Sequence, residues 1–251
     1  MTRETKVAFS SACVNQTGGI AGGMFRRAAA RFSTLALLAL LAACNALPTG
    51  RAPERIPTGP ISRPAVPPEP TREARQCLAE LAQDGTRFAV QPDAFYGAGC
   101  STVNTVRIEG LTSDADTIAV TNLGAVTCPL ARTFGGWARY GVDRAARQIL
   151  GSALIRIETM GSYSCRNVAG TGRRSAHARA EAIDVAAFVL ADGRRISVLG
   201  DWNSGEADER EFLRTVQRSA CKRFGTVLGP DYNAAHANHF HLEEGNGSFC
   251  R

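Results

Sequence analysis

This chain of 251 residues contains only four histidines, and they fall in two short clusters. His177 precedes Asp184 in one, and His236, His239 and His241 make up the other. Imidazole is the commonest metal ligand. A His/Asp/His set with one coordination position left to water is the arrangement that holds a catalytic Zn2+. Residues two apart on a strand share a face, so His239 and His241 would project together while Phe240 and Leu242 pack into a core. Asp184 lies in an apolar run, Ala182 to Leu190, that also reads as a strand. A carboxylate buried there alone is costly, and a bound cation removes that cost. If the two strands are neighbours, one carboxylate and two or three imidazoles converge at the sheet surface.

The elements that must position these groups can be read from the apolar periodicity. Thr71 to Asp84 is expected as a helix capped by Thr71, with Cys77, Leu78 and Leu81 on its inner face. Strand-like pieces follow at Thr105–Ile108 and Thr117–Val120, and a helix near Val142–Leu150 leads to an alternating run from Ala153 to Glu158. The runs Ala182–Leu190 and Arg195–Leu199 are joined by Ala191-Asp192-Gly193, a hairpin signal. A second clear helix spans Asp208 to Phe224, and Asn238 to Glu243 closes the chain as a strand. Strands and helices mix without a regular βαβ rhythm. The expected class is therefore α+β, a small, mostly antiparallel sheet with flanking helices.

The N-terminal end reads as an address rather than as fold. Met24 to Arg31 is basic, Leu35 to Ala43 is a short apolar run, and Leu41-Ala42-Ala43-Cys44 resembles a bacterial lipobox. That run is too short to span a bilayer stably. Residues 1–43 are expected to be a signal peptide, with Met24 a candidate start, and Cys44 the lipidated first residue of the mature protein. Eight of the eleven prolines lie between Pro48 and Pro70, so residues 44–70 read as a tether and 71–251 as the folded domain. Removing residues 1–43, which hold five Lys/Arg and one Glu, leaves 24 basic and 22 acidic side chains, a net of +2 rather than +6. The basic balance thus belongs mostly to the discarded end and gives no support for nucleic-acid binding. Six cysteines of the domain, Cys77, Cys100, Cys128, Cys165, Cys221 and Cys250, read as up to three disulfides in an exported, periplasmic protein. Spacing alone does not choose the pairing.

Ser175-x-His177-x-x-Ala180-x-Ala182-x-Asp184 matches the S-x-H-x-x-G-x-A-x-D signature of the bacterial D-Ala-D-Ala peptidase superfamily. That superfamily includes murein endopeptidases, vancomycin-resistance dipeptidases and the hedgehog N-terminal domain. His236-x-x-His239-x-His241 resembles the downstream histidine element of the penicillin-insensitive murein endopeptidases. More closely, Gly161-Ser162-Tyr163-Ser164-Cys165-Arg166, the signature, and Asn238-His239-Phe240-His241-Leu242 together resemble the bacterial extensin-like C-terminal domain family. The resemblance covers most of residues 75–251. It implies a hedgehog/D-Ala-D-Ala peptidase-like fold, with Zn2+ on His177, Asp184 and His241. It also implies zinc-dependent hydrolysis of peptidoglycan peptide bonds. One departure stands out: the signature glycine is Ala180, which would strain the loop if the backbone there needs a positive φ.

His239, sharing a face with a ligand, and His236 nearby are the candidates for the proton-accepting catalytic group, with Glu243 a weaker one. Arg166 and Arg173 are candidates for binding the carboxylates of peptidoglycan peptides. Ser175 is expected to support the loop rather than to act as a nucleophile, and no G-x-S-x-G elbow is present. The competing functional class is a metal-stabilised module, held to the membrane by its lipid anchor, that binds wall material or a partner without cleaving it.

Overall fold

The computed structural model describes residues 69–251; the expected signal peptide, lipidated Cys44 and all but the end of the tether lie outside the described residues. Helix α1 (Arg72–Gln83) begins where Thr71 Oγ1 accepts the Ala74 amide at 3.2 Å, as the capping signal predicts. Strands β1 (Arg87–Val90), β2 (Ala94–Gly97), β3 (Cys100–Thr102), β4 (Thr105–Thr112), β5 (Thr117–Thr121) and β6 (Val126–Thr127) follow. Helix α2 (Cys128–Trp137) runs on through widened helical turns to Leu150, where Gly151 takes a left-handed conformation and ends it. The chain then forms β7 (Leu154–Gly161), β8 (Ala182–Leu190) and β9 (Arg195–Ser197). Helices α3 (Val198–Ser204) and α4 (Ala207–Cys221) precede β10 (Thr226–Leu228), β11 (Phe240–Glu243) and β12 (Phe249–Cys250).

The α+β class holds, but the sheet is not small. Among the described residues ten strands join in one mixed sheet whose main path is β1-β4-β5-β7-β8-β11-β10-β12; β6 pairs with β4 and β9 with β8. Two pairings, β5 with β7 and β10 with β12, are parallel, and the rest are antiparallel. The added strands are mostly two to four residues long, too short for alternation to show in the sequence. β2 and β3 form a separate two-stranded hairpin.

Strand β8 organises the centre. One edge pairs with β7, while the other takes β11 along residues 182–185 and β9 along 187–189. At the changeover the β7 register steps from Ala187 to Val185, leaving Ala186 as a bulge. Strict alternation would place Phe188 on the same face as Asp184. The bulge reverses the parity: Phe188 packs with Phe240, ring centroids 6.5 Å apart, while Asp184 faces the opposite side with His241. Both phenylalanines are fully buried in a cluster with Phe212, Trp202 and Trp137. Trp137 donates its indole N–H to the Val216 carbonyl at 3.0 Å, which ties α2 to α4 over this face. The expected disulfides form three pairs: Cys77–Cys128 joins α1 to α2, Cys100–Cys165 joins β3 to the β7–β8 loop, and Cys221–Cys250 joins α4 to β12. Three such bonds fit an oxidising, exported compartment.

Candidate metal centre

Asp184 and His241 are direct cross-strand partners on β8 and β11, as the sequence expectation of neighbouring strands requires. His241 Nδ1 lies 2.8 Å from Asp184 Oδ1. His177 arrives from a short helical turn, residues 176–179, started by Ser175, whose hydroxyl accepts the His177 amide at 3.4 Å. Its Nε2 sits 3.1 Å from His241 Nδ1 and 3.2 Å from Asp184 Oδ2. The turn closes at Ala180 with φ +57°, in the left-handed region that glycine favours. The anticipated strain at this position is therefore real, and the left-handed turn swings the following amide, that of Glu181, back to donate to the Ala176 carbonyl at 3.1 Å.

The outer nitrogens of the two rings decide what the inner ones offer. His177 Nδ1 donates to the Ser162 backbone carbonyl, which can only accept, so a neutral ring turns the lone pair of Nε2 inward. His241 Nε2 donates to the Glu243 carboxylate at 2.9 Å, and its Nδ1 faces inward in the same way. Two nitrogen lone pairs and a carboxylate thus point at one another with separations of 2.8–3.2 Å. Donors around a tetrahedral Zn2+ are about 3.3 Å apart, so the set fits a small cation after slight expansion. His177, Asp184 and His241 are a group able to hold a metal ion, and an acceptor on the outer ring nitrogen is what orients such ligands.

Electrostatics agree. Burial works against a charge on Asp184, yet the His177 and His241 rings beside it hold its carboxyl well below the usual carboxylate range. Burial likewise opposes a proton on His241, but Asp184 and Glu243 outweigh it and push its pKa up to about 9. The cluster calls for positive charge at its centre, supplied by a proton or by a metal ion.

His239, immediately before β11, turns Nε2 to 3.5 Å from Asp184 Oδ1 and donates from Nδ1 to Asn238 Oδ1 at 2.8 Å. His236 stands behind it, ring centroids 5.1 Å apart, and donates from Nδ1 to Asn233 Oδ1 at 2.7 Å. Burial lowers the pKa of both rings. That of His236 falls to about 4, with His239 and His241 adding to the effect, so both are neutral at pH 7. The loop that carries them is pinned at Asp231, which accepts from Trp202 Nε1 at 2.9 Å and from Arg214 at 2.6 Å. Arg166 is exposed and close enough to disfavour protons on His236 and His239. Arg173 lies in the 166–174 turn, where its carbonyl accepts the Val168 amide. Among the described residues, no hydrogen bond or ion pair joins it to the histidines.

Asp184 and three imidazoles therefore converge, within the two or three read from the sequence, and His236 stands beside them as a fourth. Glu243 is found orienting the candidate ligand His241, a role that its spacing of two from His241 signals in hindsight. The Ser162 carbonyl left no sequence signal, because the group that acts is backbone.

A family model described as extensin-like protein C-terminus matches residues 75–251. No curated protein and no solved structure matches the chain.

Proposed function

This chain belongs to the extensin-like protein C-terminus family, and on that premise we propose that it is a zinc-dependent hydrolase of peptidoglycan peptide bonds in the cell envelope. The observation that carries the reading is the convergence of His177 Nε2, Asp184 and His241 Nδ1 beside two neutral imidazoles. A metal bound here would polarise the scissile carbonyl and lower the pKa of a water toward about 7. Within this reading His177, Asp184 and His241 hold the ion, and Ser162 and Glu243 fix the two ring orientations.

His239 is the group best placed to take a proton, because its Nε2 is neutral, faces the ligand set and is steered by Asn238. As water adds to the amide carbon, its proton passes to His239 Nε2. When the C–N bond breaks, that proton goes to the leaving amine, and a carboxylic acid and an amine remain. His236, ring against ring with His239, is the second candidate. Arg166 is the expected partner for a substrate carboxylate. The relation to the hedgehog/D-Ala-D-Ala peptidase fold and the lipid anchor at Cys44 belong to the same proposal.

Purified protein incubated with muropeptides, with and without chelator, tests it. The expected result is new peptide products that vanish with chelator, return on adding Zn2+, and are absent from His177→Ala and Asp184→Asn variants. Tight metal binding with every muropeptide left intact would replace the hydrolase by a metal-stabilised binding module.

A further inference from the structure

The β2–β3 hairpin stands apart from the large sheet, and an isolated two-stranded hairpin is at best marginally stable in water. Here it is fastened twice to the β7–β8 loop. Cys100 is bonded to Cys165, and Arg174 donates from Nε to the Ala98 carbonyl at 2.6 Å while its other end donates to Asn167 Oδ1 at 2.9 Å. That same loop holds a metal ligand: Ser162 accepts from the His177 ring, and the Ser164 amide donates to the His177 carbonyl at 3.0 Å. Tyr163, between those two residues, meets Tyr96 of the hairpin with ring centroids 5.3 Å apart and planes at 37°. Tyr96 remains 58% exposed, so an aromatic pair is displayed to solvent on a rigid mount beside the candidate metal centre.

We propose that the Tyr96–Tyr163 pair is a sugar-binding subsite, which seats a pyranose ring of the glycan strand whose peptide branch enters the metal centre. This rests on the peptidoglycan reading above. A pyranose with equatorial substituents presents C–H groups of slight positive charge on its face, and these match the negative faces of aromatic rings. An open, angled wall suits a ring that is apolar on its face and hydroxylated at its edge; an aliphatic side chain would need an enclosed pocket instead. Hydrogen-bonding groups flank the pair, with Thr102 Oγ1 3.4 Å from the Tyr96 hydroxyl and the Arg174–Asn167 pair at the hairpin turn. The double fastening fixes the distance between sugar and scissile bond, so the subsite selects peptides still attached to glycan.

The test titrates the full-length chain with peptide-free oligomers of N-acetylhexosamine, followed by calorimetry or NMR, alongside cleavage of glycan-linked and free stem peptides. The expected result is saturable oligosaccharide binding that Tyr96→Ala weakens by about tenfold, the scale of losing one stacked ring, and that Tyr96→Phe keeps. In cleavage, Tyr96→Ala should raise KM for glycan-linked substrate and leave KM for free stem peptides and kcat unchanged. No oligosaccharide binding by the wild type, or equal binding by Tyr96→Ala, overturns the subsite even if peptides are cleaved. Tyr96-dependent sugar binding without any cleavage supports the subsite and removes the hydrolase. Because Tyr96 is exposed, the variants should fold, which metal content and thermal unfolding verify.

Discussion

Glu243 touches no expected ligand atom directly, yet it fixes which nitrogen of His241 faces the centre. Glu243→Gln should weaken metal affinity by about 10–100-fold, read by competition against a chelator dye, and should lower the melting temperature of the metal-free protein at neutral pH, because a charge that helps hold the His241 proton is gone. Ala180 offers a second test. A left-handed alanine costs about 1–2 kcal/mol. Glycine relieves that but gives up about 0.8 kcal/mol of buried methyl and brings about 0.5–1 kcal/mol of backbone entropy. Ala180→Gly should therefore be within about 1 kcal/mol of neutral. Ala180→Val, branched and placed where no exposed surface remains, should cost at least about 2 kcal/mol in denaturant unfolding. The pH behaviour of the metal-free protein turns on His241. Its folded pKa of about 9 lies above the ordinary value of 6.5, so the stabilisation from its proton is complete below pH 6.5 and fades as pH rises through 9. Melting temperatures of metal-free protein should fall across that window, and those of metal-loaded protein should fall less, because the ion has taken the proton's place.

At the level of elements, legibility followed length and period. α1, α4 and β8 were visible because four-residue apolar spacing or a long apolar run survives in the sequence. The site followed, since two of its strands were among those visible and its residue types are scarce. Helix α2 carries no clear helical signal in the sequence, because Pro129, Gly135 and Gly136 are poor helix formers. Pro129 in fact occupies the first turn, where no amide hydrogen bond is lost, and Gly135 packs close to Thr86 and Leu111 with room for no more than ordinary contact. The expected strand Arg195–Leu199 stops at Ser197, whose hydroxyl caps α3 instead. The bulge at Ala186 has no signature at all, since alternation and its reversal look alike from Val185 to Leu190, where every residue is apolar. For the hairpin, the consequence of its fastening is measurable. A Cys100→Ser/Cys165→Ser variant should lose about 2–4 kcal/mol and bind metal more weakly, because the freed loop carries the backbone that steers His177.

Across the whole domain, the aromatic core and the candidate metal centre lie on opposite faces of β8 and β11, so the fold would not depend on an ion there in the way a zinc finger does. Chelation should lower the melting temperature by an amount that grows with free metal in the reference sample, with the far-ultraviolet circular dichroism of the native state retained. Membership of the family was legible because its motifs are short and local. The extent of the sheet was not, because distant pairings between strands of a few residues leave no local trace. One contact bears on how such a protein can diverge. The group that aims the His177 ring is a main-chain oxygen of Ser162, and every amino acid supplies one. Replacement of that side chain is therefore tolerable to the ring, whereas gaining or losing a single residue between 159 and 162, where the pairing with β8 sets the position, would slide the wrong oxygen into place. Lineages carrying this centre should accordingly vary in letters along that segment far more readily than in its length.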